Sequence, residues 1–328
     1  MYSQFEENRF IAKVAYMYHE LDMKQRTIAD QLDISQATVS RLLKQAIQEG
    51  IVRITVTMPT GVYAGMEKSL CDRYALKAAI VVDCDDPDDD VSIQHHIGSA
   101  TAYYIENTIN KSEIVGLSSW SSTLLAMVNA MQPLSKKTNA QIVQILGGVG
   151  NPSAEVYASR LTDRFANLVQ GSPVFLPAPG VAGSVGMRDA LMEDQFIQQA
   201  VTLFDQVTLA LVGIGSIEPS KLLASSGNVF SPDELDAISR AGAVGDICLR
   251  FFDEAGKPVI TDHDERVISM SLDQLKRAKR SVGIAGGRRK LTAIRGALRG
   301  GWINVLITDR VTAEQLLETE TTQKDHIQ

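Results

Sequence analysis

The chain has 328 residues, 45% of them hydrophobic and 22% charged, with a formal net charge of −7 at pH 7. This is the composition of a globular protein of roughly two domains, and it excludes one that holds nucleic acid through bulk positive charge. Three cysteines without a CxxC spacing, Cys71, Cys84 and Cys248, exclude a disulfide framework and a zinc ribbon. The absence of a basic-then-apolar leader and of a long apolar run leads us to expect a cytoplasmic protein with no membrane partner.

Residues 5–18 carry an apolar stripe, Phe10, Ile11, Val14, Ala15 and Tyr18, and predict a supporting helix. Residues 24–49 predict two short helices around a tight joint. The first buries Ile28, Ala29 and Leu32, and the small Ala29 permits close approach. Asp33-Ile34-Ser35 supplies the turn, with Ser35 placed to cap the next helix. The second helix buries Val39, Leu42, Leu43 and Ile47 until Gly50 stops it. Its outward side reads Gln36, Ala37, Thr38, Ser40, Arg41 and Lys44, the amide, hydroxyl, small and cationic groups that reach base edges and phosphates in a major groove. The pattern is a helix-turn-helix. Gln25 at the start of the first helix is expected on the DNA backbone. Residues 51–56 alternate as a short strand, a wing, from which Arg53 meets a phosphate. Seven Lys/Arg balance seven Asp/Glu within residues 1–58, so pattern rather than charge carries the DNA signal.

Pro59-Thr60-Gly61 marks a boundary between a winged helix-turn-helix DNA-binding domain, residues 1–58, and a second domain, residues 59–328. Residues 62–74 predict a coupling helix with Met66, Leu70 and Tyr74 inward. Strands are then expected at 79–82, 114–117, 142–146, 174–176, 207–214, 247–252, 282–285 and 303–307. Helices are expected at 93–109, 124–131, 154–168, 232–241 and 291–298. That alternation implies a Rossmann-like, mostly parallel sheet with helices on both faces, so the fold class is α/β. Ligands in such sheets bind beyond the carboxyl ends of the strands. The acidic run 83–90 reads as a solvated loop, and the tail after residue 318 as a frayed one.

Several strand ends offer ligand groups. The first is the hydroxyl-rich loop Ser118, Ser119, Trp120, Ser121, Ser122 and Thr123 at a helix start, with an indole face for stacking. Gly147 and Gly148 permit close backbone approach, and Arg160 on the following helix is a candidate anion clamp. Gly215 follows the strand at 207–214. Asp246 opens another strand and suits a sugar hydroxyl. Gly286 and Gly287 precede Arg288, Arg289 and Lys290, as a phosphate pocket would. No P-loop, HExxH or GxSxG occurs, and no GxGxxG follows the first strand. No catalytic constellation, metal site or cofactor is expected.

With its N-terminal helix-turn-helix and the blocks GLSSWSSTL, QILGGVG, PAPG, LVGIGS, GAVGDI, AGGRRKLTAIRGAL and GGWINVLITD, the chain resembles the SorC family of bacterial sugar-responsive transcriptional regulators over nearly its whole length. The resemblance implies a C-terminal domain related to the sugar-phosphate isomerase fold that has kept the pocket and lost the reaction. It implies a sugar, sugar-phosphate or polyol effector, and a dimer or tetramer, often a homotetramer, on palindromic double-stranded operator DNA. By motif match the effector residues would be the 118–123 loop, Gly147, Gly148, Asp246, Gly286, Gly287 and Lys290. Lys290 would take the phosphate end and Asp246 the hydroxyls. Where many members read G-x-S-W-G-R-T-L, this chain has one residue more and lacks the Gly and Arg, which leaves an unphosphorylated polyol open. The reading is a transcriptional regulator of a carbohydrate or polyol catabolic operon and not an enzyme. The alternatives are a sugar-phosphate isomerase-like enzyme with a fused DNA-binding head, and a scaffold whose N-terminal helices only join subunits.

Overall fold

The computed structural model describes residues 4–53, 59 and 61–318. The chain divides into two compact units, Met1–Thr60 and Gly61–Gln328.

The first unit holds three helices: α1 (Gln4–His19), α2 (Gln25–Leu32) and α3 (Gln36–Gln48). The joint between α2 and α3 turns at Asp33, which takes the left-handed conformation with φ 53° and caps α2 through its N–H to Ala29 O. Ser35 then accepts the Thr38 N–H at 3.1 Å, supplying one of the acceptors that a helix start lacks. Ile11, Val14, Ala15 and Met17 of α1 pack with Ile28, Ala29, Val39, Leu43 and Ala46.

Three residues of the expected apolar faces are displaced. Met17 is buried where Tyr18 was expected, because the stripe advances by three residues from Val14 and turns Tyr18 and Phe10 to solvent. Ala46 likewise replaces Ile47, which is 47% exposed. Val52 folds back over that small side chain and donates to Ala46 O at 3.0 Å. Gly50 ends the helix with φ 73°, the conformation that glycine adopts without strain. Ile51 and Val52 form a bend and Arg53 has no regular structure, so none of the three is strand, and residues 54–56 of the expected wing lie outside the described residues.

The second unit is built on seven parallel strands: β1 (Ala78–Val82), β2 (Ile114–Leu117), β3 (Gln141–Gln144), β4 (Ser172–Val174), β5 (Leu209–Val212), β9 (Arg280–Ile284) and β10 (Val305–Asp309). Three short antiparallel strands, β6 (Gly215–Ser216), β7 (Gly245–Ile247) and β8 (Arg250–Phe252), form a second sheet. The large sheet runs β1-β10-β9-β5-β2-β3-β4. Alternate residues enter two separate cores. Val143, Ala210 and Val212 face one, and Ile142, Leu209 and Leu211 face the other. Both faces are therefore covered, as an all-parallel sheet requires.

The helix α4 (Ala64–Tyr74) lies against β1 and the last helix, Arg310–Leu317, with the Tyr74 hydroxyl donating to Leu316 O at 3.0 Å. Next come α5 (Asp90–Thr108), α6 (Ser122–Ala130) and α7 (Pro152–Leu168), as expected within a few residues. The strand expected at 247–252 is instead the hairpin of β7 and β8. Cys248 and Leu249 both have positive φ, 53° and 62°, and reverse the chain there. Five short helices had no sequence counterpart: Val185–Met192, Gln195–Val201, Lys221–Ser226, Leu272–Arg277 and Arg310–Leu317. None exceeds eight residues, a length at which apolar periodicity is a weak signal.

Candidate functional site

From β2 the chain winds outward through β3 and β4, then returns to β5 and winds the other way through β9 and β10. The order reverses between the paired strands β2 and β5. Beyond the carboxyl ends of strands at such a switch point an open α/β sheet has its crevice. A cavity lies there, walled by the loops after β2, β5 and β9 and by the β7–β8 hairpin.

The loop after β2 is anchored from below. Ser119 Oγ donates to Leu146 O at 2.7 Å, and the Trp120 indole N–H to Gly147 O at 2.8 Å. Trp120 is thus a buried strut that shows only part of its surface to the cavity. Ser121 caps α6 by accepting the Leu124 N–H at 3.3 Å. The start of α6, whose first N–H groups lack intrahelical acceptors, opens on the cavity through Ser122 and Thr123.

Opposite lies Asp246, buried on β7. Its Oδ2 accepts the Leu249 N–H at 2.8 Å. A Cβ at Gly215 would overlap Oδ1, so glycine is required where β6 pairs with β7. Burial raises the Asp246 carboxyl from 3.8 to about 6, against the opposing pulls of the Leu249 N–H and Lys290. Lys290 borders the same cavity, and among the described residues no acceptor lies within hydrogen-bonding distance of its Nζ. Burial first, and Arg289 second, draw its ammonium below the ordinary value, while Asp246 and Asp90 oppose them. The cavity therefore offers an acceptor and an unpartnered donor, both partly stripped of water, which is an arrangement that rewards a ligand able to pair with each.

Cys248 is buried in the wall beside Ser118, and burial pushes its thiol up to about 12. It is a packing residue rather than a thiolate nucleophile. At the mouth, Arg289 Nη2 meets Asp90 Oδ2 at 3.1 Å, and its Nη1 lies 3.7 Å from Glu218 Oε2.

Of the residues expected to bind an effector, Ser118, Trp120, Ser121, Thr123, Gly215, Asp246 and Lys290 line this cavity, and Ser119 supports it. Gly147, Gly148, Gly286, Gly287 and Arg160 are not on its walls. A Cβ at Gly147 would strike the Pro179 backbone, one at Gly148 the Gln144 amide, and one at Gly286 the Asp309 carboxylate. These glycines admit protein rather than ligand. The Gly287 N–H is bonded to Asp309 Oδ2 at 2.8 Å and Thr312 Oγ1 at 2.9 Å, and Arg160 is exposed on α7. Glu218, Cys248 and Arg289 belong to the site and were not singled out individually. Glu218 lies three residues beyond Gly215 and carries no glycine, hydroxyl or cationic pattern of its own that would have marked it.

In the first unit, Gln36, Ala37, Arg41 and Lys44 are exposed along α3, with Thr38 and Ser40 half-buried beside them. Gln25 and Gln36, near the starts of α2 and α3, share a shallow depression with Tyr18, Lys24 and Arg26. No side chain caps the start of α2, so its first N–H groups are open to an external acceptor. Arg53 is exposed. Among the described residues no cluster of His, Cys, Asp and Glu could hold a metal ion, and no helix is long and apolar enough to cross a membrane.

Residues 62–318 match the Sugar-bind family model, whose description reads "Putative sugar-binding domain". The chain is 34% identical to the deoxyribonucleoside regulator of Bacillus subtilis (strain 168) over 312 residues, 95% of this chain and 98% of that one. It is 31% identical to the sorbitol operon regulator of Klebsiella pneumoniae over 315 residues, 95% and 99% of the two chains. The crystal structure of the full-length sorbitol operon regulator SorC from Klebsiella pneumoniae matches with a TM-score of 0.71 at 30% identity, covering 95% of this chain and all of that one, 100%. The chain belongs to the SorC family of transcriptional regulators.

Proposed function

We propose that this regulator binds operator DNA through α3 and is controlled by a sugar, sugar-phosphate or polyol held in the cavity between β2 and β5. The observation that carries the effector half is the pairing of buried Asp246 with unpartnered Lys290 in one cavity. A polyhydroxylated ligand donates hydroxyls to the carboxylate, while an oxygen or phosphate at its other end accepts from the ammonium and from the start of α6. The relatives named as deoxyribonucleoside and sorbitol operon regulators support a carbohydrate or polyol operon as the target.

The DNA half rests on the α2–α3 joint and the exposed groups of α3. In this reading Gln36, Ala37, Thr38, Ser40 and Arg41 meet base edges or nearby phosphates, and Gln25, Lys44 and Arg53 meet phosphates. The first unit is then a winged helix-turn-helix, and residues 59–328 carry the effector and the contacts of a homodimer or homotetramer. Two heads on one operator must place their recognition helices about 34 Å apart, or a multiple of it. The effector shifts the balance between two arrangements of the heads only to the extent that it binds one better. The protein works in the cytoplasm, and the pocket binds without turnover, a reading supported by relatives that are named as regulators.

The test is a thermal-shift panel of sugars, polyols and their phosphates on the full chain and on Lys290→Ala. A ligand that stabilises the wild type by mass action and the variant much less supports the pocket. Turnover of a sugar phosphate by the purified protein would overturn the non-enzymatic reading.

A further inference from the structure

A second crevice lies behind the β7–β8 hairpin, on the far side of the cavity wall. Arg188 and Arg250 line it with Ser269, Ser271 and Gln274. Ser269 bridges Leu146, a wall residue of the first cavity, so the two sites stand back to back.

The two arginines differ. Arg250 is tied into the protein, donating from Nη1 to Asp264 O at 3.1 Å, from Nη2 to Val267 O at 3.2 Å, and from Nε to Ser269 Oγ at 3.2 Å. Its nearest carboxylate oxygen, Asp264 Oδ1, is 3.8 Å away. Among the described residues Arg188 bonds only its sequence neighbour Asp189, through Nη1 at 3.0 Å. Its Nε is buried and has no acceptor. Burial, together with the Arg188 charge, draws the Arg250 guanidinium below its ordinary value even against Asp264. Two like charges thus share one recess, where hydroxyl and amide groups are at hand and one guanidinium N–H has no acceptor among the described residues. A buried donor without an acceptor is costly, and an anion drawn to the pair of guanidinium groups would relieve that cost.

We propose that this crevice is a second ligand site, taking one small oxyanion between the Arg188 and Arg250 guanidinium groups. An occupant bears on Arg250 and Ser269, and through them on the hairpin that holds Asp246. The site rests on no assumption about the first cavity.

The experiment uses the full chain carrying Lys290→Ala, which removes the free cation of the first cavity, and measures thermal stability against inorganic phosphate and, separately, acetate. The expected result is a concentration-dependent rise with at least one of them, beyond that of chloride at equal ionic strength. Adding Arg188→Gln should weaken the apparent affinity at least tenfold. Absence of any rise with either anion, or an equal rise in the double variant, would overturn the proposal. Should Arg188→Gln fail to fold, Arg188→Lys keeps the charge but not the planar N–H edge. It should bind several-fold more weakly than its Lys290→Ala parent, and equal binding would refute the site.

Discussion

Asp246 Oδ2 accepts the backbone N–H of Leu249 at 2.8 Å across a turn whose two central residues, Cys248 and Leu249, both have positive φ. Two-residue hairpins take this conformation readily with asparagine and glycine, whereas a branched leucine there is strained. The strain is held by burial and by the carboxylate, so the turn and the acid fix each other. The hairpin thereby delivers a desolvated acceptor to the cavity.

A stability gain on loss of function follows for Asp246→Asn. The folded carboxyl, at about 6, lies above its ordinary 3.8, so the folded state binds the proton more tightly than the unfolded one. The resulting stabilisation is complete below pH 3.8 and is lost as the pH rises through 6, leaving a buried charge at neutral pH. Asparagine carries none and can still accept from Leu249. Denaturant melts should show Asp246→Asn more stable than wild type at pH 7.5, on the order of 1–3 kcal/mol. The difference should shrink below pH 5. A pH-independent difference would mean that Asp246 does not titrate as buried.

Gly215→Ala should act through Asp246. The added Cβ overlaps Oδ1 and forces the carboxylate or the β6–β7 pair to shift, at a cost of about 1–3 kcal/mol. Calorimetry with the best ligand of the thermal-shift panel should show at least a tenfold loss of affinity, while operator binding without ligand stays near wild type.

For α3, Arg41→Ala should weaken operator binding about tenfold and reduce the slope of log affinity against log salt by about one if the contact is to phosphate. Effector binding should be unchanged. Fluorescence anisotropy at several salt concentrations reads both quantities, and equal curves for the two proteins would remove Arg41 from the interface.

The first side chains after residue 61 are wired to the pocket loop. The Gly287 N–H is held by Asp309 Oδ2. The next residue, Arg310, donates from Nε to Asp83 Oδ1 at 3.1 Å, and the Tyr63 hydroxyl donates to the same oxygen at 2.6 Å. Tyr63→Phe should leave effector affinity within about twofold and cut the effector-induced change in operator affinity by a factor of several, a coupling loss of about 0.5–2 kcal/mol. Full coupling in the variant would show that the signal takes another route.

Much of this was legible in the sequence because buried parallel strands are runs of apolar residues and glycine marks close approach. The strand-helix alternation, the Ser35 cap, Gly50 and the 118–123 loop follow from local chemistry. What glycine cannot disclose is which atom approaches. Gly215 faces Asp246, whereas Gly147, Gly148 and Gly286 face the protein's own Pro179, Gln144 and Asp309. The hairpin at 245–252 was read as one strand because Cys248-Leu249 carries no turn residue. Only the fold around it, and the Asp246 bond, impose positive φ there. Arg289 and Glu218 meet at the mouth from loops 71 positions apart, a distance no local pattern spans.

The central claim is that a ligand bound between Asp246 and Lys290 sets the affinity of α3 for DNA. Its most direct test is operator affinity, measured by anisotropy with and without the best ligand of the panel, for wild type and Asp246→Asn. The wild type should change at least fivefold on saturation. The variant should start from the same ligand-free affinity and not change at the same ligand concentration. A variant that responds as the wild type does would contradict the claim.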